Sequence, residues 1–217
     1  MRFGPLAFSL AITGVCLFAS AGRLDWLNGW VLLALSFATG VAFMACRSAD
    51  LTEERSHVKP GKSWDKAIVG FTVLLGPMAM WITAGLDNRF HWTSGMPSWA
   101  FAAGVLLAVL GAALTAWAMR SNEFFSSVVR IQKDRGHTVA TGGPYRFVRH
   151  PGYTGMIAFL LATPLILNSY WAFVPAAVTV AVNVLRTALE DRTLHCELDG
   201  YADYAREVRY KLLPAVW

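Results

Sequence analysis

The sequence predicts an all-α integral membrane protein of about six transmembrane helices, the last two a helical hairpin, with a polar site at the cytoplasmic face. Three observations lead there. Of the 217 residues, 55% are hydrophobic and 15% charged, with a mean hydropathy of +0.43, a composition unlike that of a soluble core. Apolar runs of membrane length recur along the chain. Of the 19 Lys and Arg residues, all but Arg23 and Arg89 fall before the first run, in alternate connections or after the last run, the positive-inside bias of a chain with both termini cytoplasmic.

The first run covers residues 3–21. Ala19-Ser20-Ala21 resembles a signal-peptidase site, but only Arg2 precedes the run, which is longer than a usual signal core. It reads as a retained transmembrane helix. Residues 26–46 form the second span. A polar segment, 47–66, contains Glu53-Glu54-Arg55 and Lys59-Pro60-Gly61-Lys62. The third span is 67–85, with a kink expected at Pro77. Residues 87–98 form a turn-rich loop, with Trp92 and Trp99 near the interface. The fourth span is 99–119, where Gly104, Ala108, Ala112 and Ala116 make a small-residue packing stripe.

Residues 153–185 are too many for one straight span, and Pro164 with Asn168-Ser169 divides them into two antiparallel arms. The first arm is short, either tilted across the bilayer or only partly inserted. The second runs on into a polar helix, 186–197, followed by an aromatic and basic tail, 200–217. Residues 1–119 (the N-terminal helices) and 120–217 (the catalytic part) are read as one integrated domain.

The net charge of +5 sits in loops between apolar runs, which suits anionic lipid headgroups and argues against nucleic acid. Cys16, Cys46 and Cys196 form no CxxC pair, so neither a disulfide framework nor a zinc site is expected. No HExxH, GxGxxG, Walker loop or GxSxG is present, which excludes a soluble nucleotide-binding domain of Rossmann type. His57, His91 and His195 are isolated interfacial histidines, and Cys196 beside His195 does not make a nucleophile pair, because adjacent helix positions face apart.

The stretch 132–153, QKDRGHTVATGGPYRFVRHPGY, organises the rest. Pro151 suits the first turn of a helix, and the N–H groups after it make a positive end able to hold a carboxylate. Arg149 and His150 are expected to add donors there, with Tyr145 and Tyr153 as aromatic walls. Arg186 and Glu190, spaced i, i+4, share one helix face. They are either a surface ion pair or part of the site. Asp191 lies off that face and reads as solvated.

Gln132, His137-Thr138-Val139-Ala140, Gly142-Gly143-Pro144-Tyr145 and Arg149-His150-Pro151-Gly152-Tyr153-Thr154-Gly155 resemble the cofactor motif of the isoprenylcysteine carboxyl methyltransferase family, which includes related membrane phospholipid methyltransferases. Arg186-x-x-x-Glu190, Gly200, Tyr201, Tyr204, Val208 and Pro214 resemble the family's second block. Glu54-Arg55 and Lys62-x-Trp64-Asp65-Lys66 are like those of its bacterial members. Gln132 sits closer to His137 than in the eukaryotic enzymes, and the interval from Glu190 to Tyr201 is one residue shorter.

The resemblance implies a membrane methyltransferase using S-adenosylmethionine, held by Gln132, His137, Thr138, Val139, Ala140, Tyr145, His150, Pro151, Gly152, Tyr153 and Glu190. Arg186 matches the position that binds the acceptor, a lipidic or prenylated molecule; Arg186 and Glu190 are the expected catalytic pair. No metal and no obligate protein partner are expected. The implied location is a bacterial inner membrane with the site facing the cytoplasm. Two other readings remain at this point. Membrane sterol reductases have a similar C-terminal block with NADPH, though this chain is short for one. A small transporter is disfavoured because the spans hold almost no ionisable residues.

Overall fold

The computed structural model describes residues 3–47, 52 and 61–217, and every regular element among them is helical. The helices are α1 (Gly4–Ala21), α2 (Leu27–Cys46), α3 (Ser63–Phe90), α4 (Trp99–Arg120), α5 (Pro151–Ile166), α6 (Phe173–Glu197) and α7 (Tyr201–Glu207). The expected features at Glu53, Glu54, Arg55, Lys59 and Pro60 lie outside the described residues. Among those described, α1–α4 and α6 are long and apolar enough to cross a membrane. The 16-residue α5 rises about 24 Å at about 1.5 Å per residue, short of a hydrocarbon core of about 30 Å.

The boundaries follow local chemistry. Gly22 ends α1 in a left-handed conformation (φ 68°), its N–H bonded to the Phe18 carbonyl. Helix α3 begins before its apolar run and continues past it to Phe90. At Pro77 the expected irregularity takes the form of a π turn, Phe71–Leu75, in which the Gly76 N–H reaches back to the Phe71 carbonyl. Pro77 has no N–H to offer the ladder, and the widened turn just before it accommodates that gap. Pro164 does not break the hairpin as expected. Helix α5 runs through it to Ile166, and the chain reverses at Asn168 (φ 56°).

Helices α4 and α5 approach backbone to backbone. A Cβ on Gly111 would lie 2.6 Å from the Gly155 carbonyl oxygen, and one on Gly155 would meet Thr115. The buried line on α4 is Gly104, Ala108, Gly111, Thr115 and Ala118, so the contact leaves the four-residue spacing after Ala108. Ala112 and Ala116 are only half-buried. A helix turns in 3.6 residues, so a strict four-residue stripe drifts off the contact face. Between helices in lipid, such close packing replaces the hydrophobic effect as the source of association. Leu17, Phe18, Trp26, Leu32, Met80, Ala84, Ala108 and Ile166 fill the interior. Leu106, Val109, Leu110, Val174, Val178 and Leu185 face outward.

The alternating helices gather their connections at two ends. At one end, Asp87 is buried and its carboxylate accepts from the Thr93 N–H and hydroxyl at 2.7 and 2.6 Å and from the Ser169 hydroxyl. This ties the loop after α3 to the turn between α5 and α6. At the other end, Lys62 pairs with Glu197 at 2.5 Å and its N–H bonds to the Val129 carbonyl. The connection after α4 and the C-terminal tail close over this second end.

Candidate active site

A cavity of about 500 Å³ lies at that second end. Its walls come from the ends of α2 and α4, the start of α3, the connection 122–150, the first turn of α5, the polar part of α6, and α7. Phe43, Val69, Val73 and Met156 make an apolar side; Glu190, Arg186, His150 and Tyr153 make a polar one.

Helix α5 opens as its sequence dictates, with His150 as N-cap and Pro151 in the first turn. The Gly152 and Tyr153 N–H groups have no acceptor among the described residues, as first-turn donors do unless something caps them. The Tyr153 hydroxyl donates to Glu190 Oε2 at 2.6 Å, and the Arg186 guanidinium stands 5.4 Å from the Tyr153 ring centre. Arg186 and Glu190 therefore do share a face on the cavity, along with Leu194.

Arg186 is not free. Its Nε and Nη2 donate to the two oxygens of Asp65 at 2.8 and 3.1 Å, and Nη2 also donates to the Ser127 carbonyl at 3.0 Å. Asp65, on the first turn of α3, is 1% exposed and also accepts from the Val129 N–H at 2.8 Å. The sequence singled out Trp64-Asp65-Lys66 only as part of a resemblance. A lone acid opening an apolar run is the signal that could have marked it.

Asp191 corrects an expectation. It is buried, not solvated, and accepts from Arg149 Nε (2.8 Å), Arg149 Nη2 (3.2 Å), His150 Nε2 (3.2 Å) and the Tyr201 hydroxyl (2.8 Å). Arg149 and His150 thus turn their charged and polar edges to Asp191 rather than adding donors at the α5 end. Arg149 Nη1 continues to the Val208 and Arg209 carbonyls, while the Arg149 and His150 N–H groups bond to the Tyr210 and Lys211 carbonyls. The tail is fastened to the base of α5 by these bonds. Burial, with Asp191 beside it, pushes the Tyr201 phenol far above its ordinary value and keeps it a donor.

The connection 122–150 forms the third wall, where His137, Thr138, Val139, Ala140 and Tyr145 line the cavity. Gln132 and Pro151 are not among the lining residues. Gln132, fully buried, shapes the loop: its amide donates to the Phe124 carbonyl at 2.8 Å, its Oε1 accepts from Arg135 at 2.5 Å, and its N–H donates to His137 Nδ1 at 3.2 Å. Burial, with Arg130 and Arg135 nearby, holds His137 down to about 4, so at neutral pH the ring is uncharged and Nδ1 can accept. The Tyr145 oxygen accepts from Asn122 at 3.2 Å, and the Tyr145 carbonyl accepts from Tyr204 at 2.8 Å. Burial raises both phenols well above their ordinary value. No group of acidic, histidine or cysteine side chains suited to a metal ion occurs among the described residues.

The cavity thus lies where helices meet at one end of an apolar bundle, with one polar and one apolar side. Residues 99–196 match the family model described as phospholipid methyltransferase. More particularly, the chain is similar to several protein-S-isoprenylcysteine O-methyltransferases. That of Rattus norvegicus is 30% identical over 135 residues, 60% of this chain and 47% of the relative. That of Homo sapiens is 31% identical over 104 residues, 48% of this chain and 37% of the relative. That of Schizosaccharomyces pombe is 24% identical over 187 residues, 77% of this chain and 79% of the relative. The matched stretch spans about half the length of the rat relative. These matches bear out the resemblance to the isoprenylcysteine carboxyl methyltransferase family and its phospholipid methyltransferase relatives.

Proposed function

We propose that this chain is an S-adenosylmethionine-dependent methyltransferase of the membrane, acting on a lipidic or hydrophobic acceptor, with a carboxylate as the favoured group. The observation that carries the reading is the joining, in one cavity, of the α5 first turn and Glu190 with Arg186 and an apolar side of Phe43, Val69, Val73 and Met156. A volume of about 500 Å³ falls within the range of about 300–1,000 Å³ for small-molecule sites.

The residues present fit this donor. The unpaired N–H groups of Gly152 and Tyr153 suit its carboxylate. Glu190 suits its amino or hydroxyl donors, and the faces of Tyr145 and Tyr153 suit its cationic centre. His137, Thr138, Val139 and Ala140 line the cavity beside them, with Gln132 acting through the shape of the loop. When bound, S-adenosylmethionine supplies a methyl group on a sulfonium whose charge is lost in the transfer. A site walled by Val73, Met156, Leu194 and aromatic rings keeps water low, and that favours loss of charge. Arg186 is the cation available to orient an acceptor carboxylate, which is already a nucleophile at neutral pH and needs positioning more than a base. With Arg23 and Arg89 alone at the other end, this end of the bundle is the cytoplasmic one, in a bacterial inner membrane.

The test is transfer of tritiated methyl from S-adenosylmethionine to N-acetyl-S-farnesylcysteine or to phosphatidylethanolamine vesicles. The carboxylate reading expects label on the farnesylcysteine that base releases as methanol. Base-stable label on the amine lipid alone overturns it in favour of amine chemistry.

A further inference from the structure

We infer that Asp65 is a positioning residue that aims Arg186 at the acceptor. The inference rests on the methyltransferase reading above and adds a residue outside the stretch 99–196 that matches the family model. Asp65 takes both Nε and Nη2 of Arg186, at 2.8 and 3.1 Å, and the Ser127 carbonyl takes Nη2 as well. Two parallel bonds to a carboxylate fix the plane of a guanidinium as one bond cannot. The remaining nitrogen, Nη1, has no acceptor among the described residues, yet Arg186 lines the cavity. A two-point grip through the Nε edge is therefore closed to the acceptor. Arg186 is left to offer Nη1 from a plane that Asp65 sets, with the Tyr153 ring 5.4 Å from its centre.

Asp65 is itself held. It is 1% exposed, and the Val129 N–H donates to its Oδ2 at 2.8 Å, so α3, the connection after α4, and α6 meet at this carboxylate. Removing its charge while keeping its shape frees the guanidinium to turn without removing it. Misplacement on the ångström scale is enough to cost up to about a hundredfold in rate.

The experiment compares wild type, Asp65→Asn, Arg186→Lys and the double variant, using S-adenosylmethionine calorimetry and methyl transfer to N-acetyl-S-farnesylcysteine. Rates are expressed per S-adenosylmethionine-binding site, so that any unfolded fraction drops out. Asp65→Asn is expected to bind the donor within about threefold of wild type while kcat per site falls at least about tenfold and acceptor KM changes little. In the Arg186→Lys background, Asp65→Asn should cost no further activity, because the group it aims is gone. An unchanged kcat in Asp65→Asn overturns the inference, as does a loss that adds fully to that of Arg186→Lys, the mark of a merely structural acid. A wild-type chain that binds no S-adenosylmethionine, or labels no farnesylcysteine, defeats the proposed function instead, and Asp65 then has no acceptor to serve.

Discussion

The Tyr153 hydroxyl donates to Glu190 Oε2 at 2.6 Å, joining the first turn of α5 to the polar end of α6 across the cavity. This bond fixes the carboxylate of Glu190 on the cavity that Gly152 and Tyr153 also line, and the N–H groups of those two residues have no acceptor among the described residues. Tyr153→Phe removes the donor alone, a change of about 1.5–3 kcal/mol for a hydrogen bond to a charged group. Calorimetry is expected to show S-adenosylmethionine binding about tenfold or more weaker in Tyr153→Phe, at about 1.4 kcal/mol per tenfold, and weaker still in Glu190→Gln. Equal affinity in all three proteins would detach this pair from the cofactor.

Asp191 carries the fold of the site rather than its chemistry. Arg149, His150 and Tyr201 all turn to it, and Lys211 Nζ lies 3.6 Å away. In Asp191→Ala the Arg149 guanidinium would stay buried without its partner, at a cost of about 3–5 kcal/mol. Thermal unfolding in detergent should show a large drop, with the tail released to proteolysis near residues 208–211. A drop no larger than that of an exposed substitution such as Asp203→Ala would contradict the network.

His137 supplies a pH dependence. Burial, then Arg130 and Arg135, hold its ring down to about 4 from an ordinary 6.5. The unfolded chain takes up this proton before the folded chain does. The stability that follows is fully present above pH 6.5 and is lost as the pH falls from about 6.5 to about 4. The ring is half-buried, so solvent moderates the size of the effect. Thermal unfolding between pH 7 and pH 5 is expected to fall more steeply for wild type than for His137→Asn; parallel curves would show that the ring does not titrate as stated.

The alternation of helix ends predicts that residues 91–98 and 121–150 lie on opposite sides of the membrane. Single cysteines placed at Thr93 and at Lys133, in a background lacking Cys16, Cys46 and Cys196, should react with an impermeant maleimide from opposite sides. Labelling of both from one side would contradict the arrangement.

Much of this was legible in the sequence because the bilayer imposes a simple code. Apolar length located the five helices that are long enough to cross a membrane among the described residues, and the shorter α5 between them. Proline and asparagine marked the hairpin, although the reversal came at Asn168 because neighbouring helices tolerate Pro164 inside α5. Residues of the stretch 137–153 and the pair Arg186 and Glu190 line one cavity; spacing put that pair on one helix face, and the family resemblance joined it to the stretch. What stayed hidden was pairing over long distances in the chain. Nothing local tells that Asp65 will meet Arg186, or that Asp191, one position from Glu190, turns instead to Arg149 and Tyr201. Adjacent helix positions point about 100° apart, so two neighbouring acids serve two different jobs. Asp87 was hidden for a related reason: α3 outlasts its apolar run, and the acid becomes the clasp of two loops.

The central claim is a site for S-adenosylmethionine at the α5 first turn, and calorimetry on the detergent-purified chain tests it most directly. S-adenosylmethionine should bind at one site per chain, His150→Ala and Tyr153→Ala should weaken it without loss of folded protein, and NADPH should give no saturable heat. Saturable binding of NADPH with none of S-adenosylmethionine, or donor affinity unchanged in both variants, would contradict the account.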